Sequence, residues 1–168
     1  MLSTKQGRMF VKLLQCILIV ITPQIGATII SFLVRTPGDD WFDNLKKPSY
    51  TPPNWAFGPV WAVIDLMMGY ASCRIFLKLG LSQEAYAPLG PYCFQLVLNW
   101  IWTPLFFGFH WIGVATLEIF VTYVSVIVTI VLFLKHDKIA GILLFPYIMW
   151  LSFASLLCTH IYFLNKDN

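Results

Sequence analysis

The sequence predicts an all-α integral membrane protein, a bundle of five transmembrane helices with a proline-rich loop as a lid between helices 1 and 2. Three observations predict it. Of 168 residues, 58% are hydrophobic and 11% are charged, where a soluble domain carries about 25% charge. A soluble globule this apolar would expose large greasy patches and aggregate, and the same composition excludes disorder. The chain also holds five long runs almost free of charge, each near the roughly 20 residues that cross hydrocarbon as a helix. These runs are continuous, as in Val124 to Phe133, and lack the alternation of a membrane barrel strand. The net charge is +3, with 11 basic residues scattered among 8 acids. That excludes nucleic acid as a partner, for want of a basic stripe, and leaves the lipid membrane.

Residues 1–168 read as one membrane domain. The first span covers about 9–34, and its stretch Leu13–Val34 has 22 residues without a charge. That exceeds the apolar region of a removable signal peptide, and no small-x-small cleavage site follows. The second span, 56–79, carries Asp65 near its middle. The third, 85–109, has 25 residues without a charge, and the fourth, 111–134, carries one acid, Glu118. The fifth, 139–165, has 27 residues without a charge, about 40 Å as a helix. It is expected to tilt, to kink near Pro146 or to project beyond the bilayer.

The connection 35–55 contains Pro37, Gly38, Pro48, Pro52 and Pro53 and is not one helix. Asp40–Lys46 fits a short helix between prolines. The prolines fix φ and hold their predecessors extended, so the loop is stiff. Its Trp41, Phe42, Tyr50 and Trp55 would cap an apolar pocket or anchor the loop to headgroups. Seven basic residues fall on the N-terminal side of the bundle and four on the other. A positive-inside reading places the N-terminus in the cytosol, although that rule carries no weight for a mitochondrial outer membrane. Cys16, Cys73, Cys93 and Cys158 lie in apolar stretches without a CxxC spacing. They read as small residues in helix contacts, not as a disulfide framework or a zinc site.

Four segments carry a resemblance. The first is Trp41-Phe42-Asp43-Asn44-Leu45-Lys46-Lys47-Pro48-Ser49-Tyr50-Thr51-Pro52-Pro53-Asn54-Trp55, leading into Ala56-Phe57-Gly58-Pro59-Val60-Trp61. The others are Met68-Gly69-Tyr70-Ala71-Ser72, Gln95 to Gly108 and Pro146 to Ala154. In this order and spacing the chain closely resembles the translocator protein family, also called the peripheral-type benzodiazepine receptor or tryptophan-rich sensory protein family. The likeness covers about residues 20–165. Gly58-Pro59-Val60-Trp61, Met68-Gly69-Tyr70 and Leu98-Asn99-Trp100 are similar to animal members more than to bacterial ones.

The resemblance implies a five-helix bundle, often a homodimer, with a pocket opening towards the long loop. It implies porphyrins such as protoporphyrin IX and haem as ligands, cholesterol in animals, and synthetic isoquinoline carboxamides and benzodiazepines. No cofactor is required. It implies a receptor or carrier linked to tetrapyrrole or sterol handling and stress response, placed in the mitochondrial outer membrane, and not primarily an enzyme. The alternative it offers is light- and oxygen-dependent porphyrin degradation, for which Trp61 and Trp150 match the two family tryptophans. The ligand contacts expected are Trp55, Trp61, Asn99, Trp102, Glu118, Tyr147, Trp150 and Ala154.

The residues carry their own physical reading. Trp61 and Trp150 each hold one indole donor. Counted along their helices from the loop side, their depths differ by about 10–15 Å, so one flat ligand would touch both; helix packing with an aromatic belt is the plain alternative. Asn99 and Trp102 share a helix face, and an asparagine in hydrocarbon needs a partner, a ligand or another helix. Asp65, where family members usually carry an uncharged residue, must be protonated, paired or facing a wet cavity. Glu118 stands where animal members usually carry Asp, and reads otherwise as an acid reaching headgroups. His160 is a hydrogen-bonder before it is a haem ligand, and Lys135-His136-Asp137-Lys138 reads as a solvated turn. Animal members carry a sterol motif at the end of the last helix. Here Leu157, Tyr162 and Lys166 satisfy its loose form about one turn late, a weak pattern that predicts weakened sterol binding.

Overall fold

A computed structural model of the chain describes residues 4–34 and 40–167. Residues 35–39 of the expected lid, Pro37 and Gly38 among them, lie outside the described residues. Helix α1 spans Thr4–Val34, α2 Trp41–Asn44, α3 Asn54–Leu79 and α4 Gln83–Thr103, which runs on into a π-helical turn at Pro104–Gly108. Then follow α5 at Ile112–His136, α6 at Lys138–Ile142 and α7 at Phe145–Asn165. Four stretches are long and apolar enough to cross a membrane: Met9–Val34, Asn54–Leu79, Ile112–His136 and Lys138–Asn165. The expected third span is not among them. The residues expected to form it lie in α4 and the π turn, where Gln95, Asn99, Pro88, Pro91 and Pro104 dilute the apolar content.

The ends of these helices follow local chemistry. Gly80 takes φ 62° and its N–H reaches the Phe76 carbonyl at 2.8 Å, which stops α3; only glycine adopts that conformation without strain. Pro146 sits in the first turn of α7, where a missing N–H costs nothing, and the expected kink there is a break between Ile142 and Phe145. Asp137 accepts from the Ala140 N–H at 3.0 Å and caps α6.

Helix α1 packs on α3 and α4, α5 lies between α4 and α7, and α3 lies against α4, α6 and α7. The main core is built from Ile64, Met68, Ile75, Tyr92, Leu96, Ile119, Phe133, Tyr147 and Leu151. A second cluster holds Phe106, Ala115, Leu157, Cys158 and Ile161. Helix α1 supplies no member of either cluster, and Phe10, Leu14, Ile17, Leu18, Ile25 and Phe32 on it are exposed. Two glycines set how closely it docks. A Cβ on Gly69 would lie 2.2 Å from the Val20 carbonyl oxygen, and one on Gly26 would lie 2.3 Å from the Trp100 ring. Small residues at such seams let helix backbones touch, the usual basis of helix packing in lipid.

At the end of the bundle away from the loop, Arg74 and Asp137 pair at 2.8 Å, and Lys78 donates to the His136 carbonyl. The segment 135–138 is therefore a tied corner where the sequence predicts a solvated turn. The Arg74 guanidinium beside it holds the Asp137 carboxyl below the usual carboxylate range.

At the other end the loop is fastened along α7. The Lys46 N–H donates to Asn165 Oδ1 at 3.1 Å, and Asn165 Nδ2 donates back to the Lys46 carbonyl at 2.9 Å. Tyr50 Oη and His160 Nδ1 lie 2.6 Å apart. Lys47 donates to the Phe42 carbonyl at 2.7 Å, and Asn54 to Asp43 at 2.7 Å. The short helix expected within Asp40–Lys46 forms at Trp41–Asn44.

Candidate functional site

Two aromatic groups meet beneath the loop. One is a ladder of rings: Tyr50 lies 6.2 Å from Phe153, Phe153 lies 5.4 Å from Trp150, and Trp150 lies 6.4 Å from Trp61 at 87°. Tyr147 follows at 6.1 Å from Trp61, and Phe57 flanks Trp150 at 6.0 Å. These edge-to-face arrangements suit ring quadrupoles. Helices α3 and α7 supply them because Phe57 and Trp61 stand four apart, and Tyr147, Trp150 and Phe153 three apart, so each set shares a face.

The expected depth difference of about 10–15 Å between Trp61 and Trp150 is not what the chain adopts, since the two rings touch. The count fails because α7 runs on past the start of α3. Phe57, near the first turn of α3, is already level with Trp150, and the last turns of α7 rise alongside the loop to Asn165.

The second group stands on α4, the π turn and α2. Trp102 stacks on Phe106 at 4.9 Å, Trp41 meets Phe106 at 5.5 Å, and Trp41 lies flat on His110 at 4.0 Å. His110 has φ 57°, a left-handed backbone that a non-glycine residue adopts only under constraint.

Polar groups close the site from below. Asn99 donates to Tyr147 Oη at 3.2 Å, and Tyr147 is 2% exposed. Glu118 accepts from Thr122 at 2.7 Å through Oε1, and its Oε2 is buried. Gln95 donates to Met68 Sδ at 3.0 Å. Five buried atoms here have no hydrogen-bond partner: the donors Trp102 Nε1 and Trp150 Nε1, and the acceptors Glu118 Oε2, Asp65 Oδ1 and Gln95 Oε1. Each such atom costs about 1–3 kcal/mol when left unpaired, and buried polar groups are nearly always satisfied.

Of the expected contacts, Trp61, Asn99, Trp102, Tyr147 and Trp150 converge here, and Ala154 packs partly buried against the same core. Trp55 does not join them and is 75% exposed. Asp65, which lies within electrostatic reach of Tyr92 and Tyr147, is 2% exposed. Arg74 is committed to Asp137. Phe57, Phe153 and Gln95 were not singled out from the sequence; the four-residue and three-residue spacings from Trp61 and Trp150 carried the signal for the first two. The sterol triad divides. Tyr162 and Lys166 line a cavity of about 300 Å³ with Trp41, His110, Gly113 and Asn165, whereas Leu157 is 5% exposed inside the second core cluster.

Comparison with known proteins gives one consistent result. The sequence model of the TspO/MBR family matches residues 18–164. The translocator protein of Sus scrofa is 40% identical over 138 residues, 82% of each chain. Translocator protein 2 of Canis lupus familiaris is 32% identical over 94% of this chain and 87% of its own. The tryptophan-rich sensory protein of Cereibacter sphaeroides is 35% identical over 70% of this chain and 72% of its own.

Proposed function

The chain belongs to the TspO/MBR family, and on that premise we propose that it is a membrane receptor or carrier for porphyrins and sterols. In this reading protoporphyrin IX or haem lies in the bundle under the loop, which acts as its lid. Helix α4 with its π turn is the fifth membrane crossing. The protein sits in the mitochondrial outer membrane as a homodimer, as the resemblance to animal family members implies.

The observation that carries the proposal is the pair of unpartnered buried donors, Trp102 Nε1 and Trp150 Nε1, set beside the aromatic ladder. A tetrapyrrole offers flat ring surface to the indoles and carboxylates to their N–H groups. A bundle that leaves these donors unpaired gains on binding the hydrogen bonds it lacks when empty. A sterol would place its hydroxyl at Tyr162 or Lys166, in the cavity those two residues line.

Titrating the protein in lipid nanodiscs with protoporphyrin IX, while following tryptophan fluorescence, tests this. Saturable quenching that weakens in Trp150→Phe and Trp102→Phe is expected. Quenching that is not saturable, or that both variants leave unchanged, overturns the site.

The direct contact between the Trp61 and Trp150 rings favours a second reading, light- and oxygen-dependent porphyrin degradation, because it sets both family tryptophans against one stretch of a ligand bound beside them. Illuminating the complex and following porphyrin absorbance separates the two: loss that depends on both indoles is expected of the enzyme and not of the carrier.

A further inference from the structure

Helices α1 and α3 come into backbone contact at Gly69. A Cβ on Gly69 would fall 2.2 Å from the Val20 carbonyl oxygen and 2.9 Å from its Cα, so the two backbones are in contact there. The helices run antiparallel. Four residues back from Val20 on α1 stands Cys16, and four residues on from Gly69 along α3 stands Cys73. One turn from the contact the two cysteines therefore face each other across the seam. A disulfide needs Cα atoms about 4.4–6.8 Å apart, a separation that helix backbones reach only at such small-residue contacts. The two thiols differ in access: Cys73 is 3% exposed, whereas Cys16 is half-buried at the edge of the seam. Cys158 is partnered by Thr116 Oγ1 at 3.2 Å, and Cys93 is exposed on α4.

We propose that Cys16 and Cys73 form a dithiol site that an organic hydroperoxide of the bilayer oxidises to a disulfide, locking α1 to α3. The accessible thiol reacts first. Cys16 attacks the terminal oxygen of the hydroperoxide, the O–O bond breaks, and the products are a Cys16 sulfenic acid and the corresponding alcohol. Cys73, facing it across the seam, then attacks the sulfenic sulfur. The S–O bond breaks, the S–S bond forms and water leaves with both protons. One hydroperoxide is reduced by two electrons and two thiols are oxidised, so the step balances. This is the arrangement of a redox-responsive cysteine with its resolving partner, and a thiol restores it.

The test uses the full chain in lipid bilayers treated with cumene hydroperoxide, with peptide mapping by mass spectrometry under non-reducing conditions. A Cys16–Cys73 linked peptide is expected, abolished by dithiothreitol. Cys73→Ser is expected to trap the Cys16 sulfenic acid as a dimedone adduct, and Cys16→Ser to leave Cys73 unmodified. The thermal unfolding of both variants shows whether the seam is intact. The proposal is overturned if Cys93 is oxidised while no Cys16–Cys73 peptide forms. It is overturned equally if Cys16 links only to a second copy, or if Cys73 is oxidised in Cys16→Ser with the bundle folded.

Discussion

Under the proposed function, Trp150 is the residue at which binding and stability pull in opposite directions. Its indole N–H is buried and unpaired, so Trp150→Phe removes a penalty from the empty protein while keeping the ring. The variant is expected to melt at the same temperature or higher, by up to about 1 kcal/mol, and to bind protoporphyrin IX about fivefold more weakly, for one lost hydrogen bond. Paired melting and fluorescence titrations check the two signs; a variant that loses both stability and affinity would make the ring a packing group only. Asp65 is a similar case. It is 2% exposed with Oδ1 unpartnered, so Asp65→Asn is expected to be tolerated or slightly stabilising. An Asn variant that folds but loses binding puts the carboxyl itself in the site. As candidates, Trp61 and Trp150 were legible through the family resemblance, and Asn99 and Trp102 through their shared helix face. Their mutual geometry was not. Helical rise fixes depth only from a known starting level, and the overshoot of α7 beyond α3 has no signature in the sequence of either helix.

Among the elements, α1 and α3 are held at a distance set by one hydrogen atom. Gly69→Ala puts a methyl group 2.2 Å from the Val20 carbonyl oxygen, and backbone cannot swing aside as a side chain can. Forcing the pair apart is expected to cost about 1–3 kcal/mol, the usual scale for overpacking, read as a lower melting temperature in detergent. At the far corner, Asp137 both pairs with Arg74 and caps α6. Its carboxyl titrates below the usual range in the folded chain because Arg74 hydrogen-bonds it. Its contribution is therefore complete above the unfolded value of about 3.9 and is lost as pH falls through the lower folded value. Asp137→Asn is expected to melt below the parent at neutral pH, with the gap closing only in acid. The helices themselves were largely legible, because long charge-free runs admit little else in lipid. The break before Pro146 was legible too, from the proline. The tied corner at 135–138 was not, since Arg74 and Asp137 are 63 residues apart in sequence and nothing local to either announces the other.

For the molecule as a whole, the loop and the end of the last helix form one unit across the sequence. Asn165 meets Lys46 over 119 residues through two hydrogen bonds, and Tyr50 meets His160 beside them. Asn165→Ala removes both bonds to Lys46. Amide exchange across 46–51 is then expected to rise about fivefold, equivalent to about 1 kcal/mol for an exposed pair, with exchange in α5 unchanged. Equal acceleration everywhere would mean that Asn165 supports the bundle and not the loop. That this connection is not one helix was legible from its prolines. Its anchoring partner was not, because an asparagine at a helix end is most often a solvent-facing cap.

Helix α1 supplies no member of either buried cluster and is held chiefly by its seam along α3, with Trp100 on α4 donating to the Pro23 carbonyl. The core of α3, α4, α5 and α7 closes without it, so α1 is expected to be the helix that peels away first under heat or detergent, leaving the inner bundle still assembled.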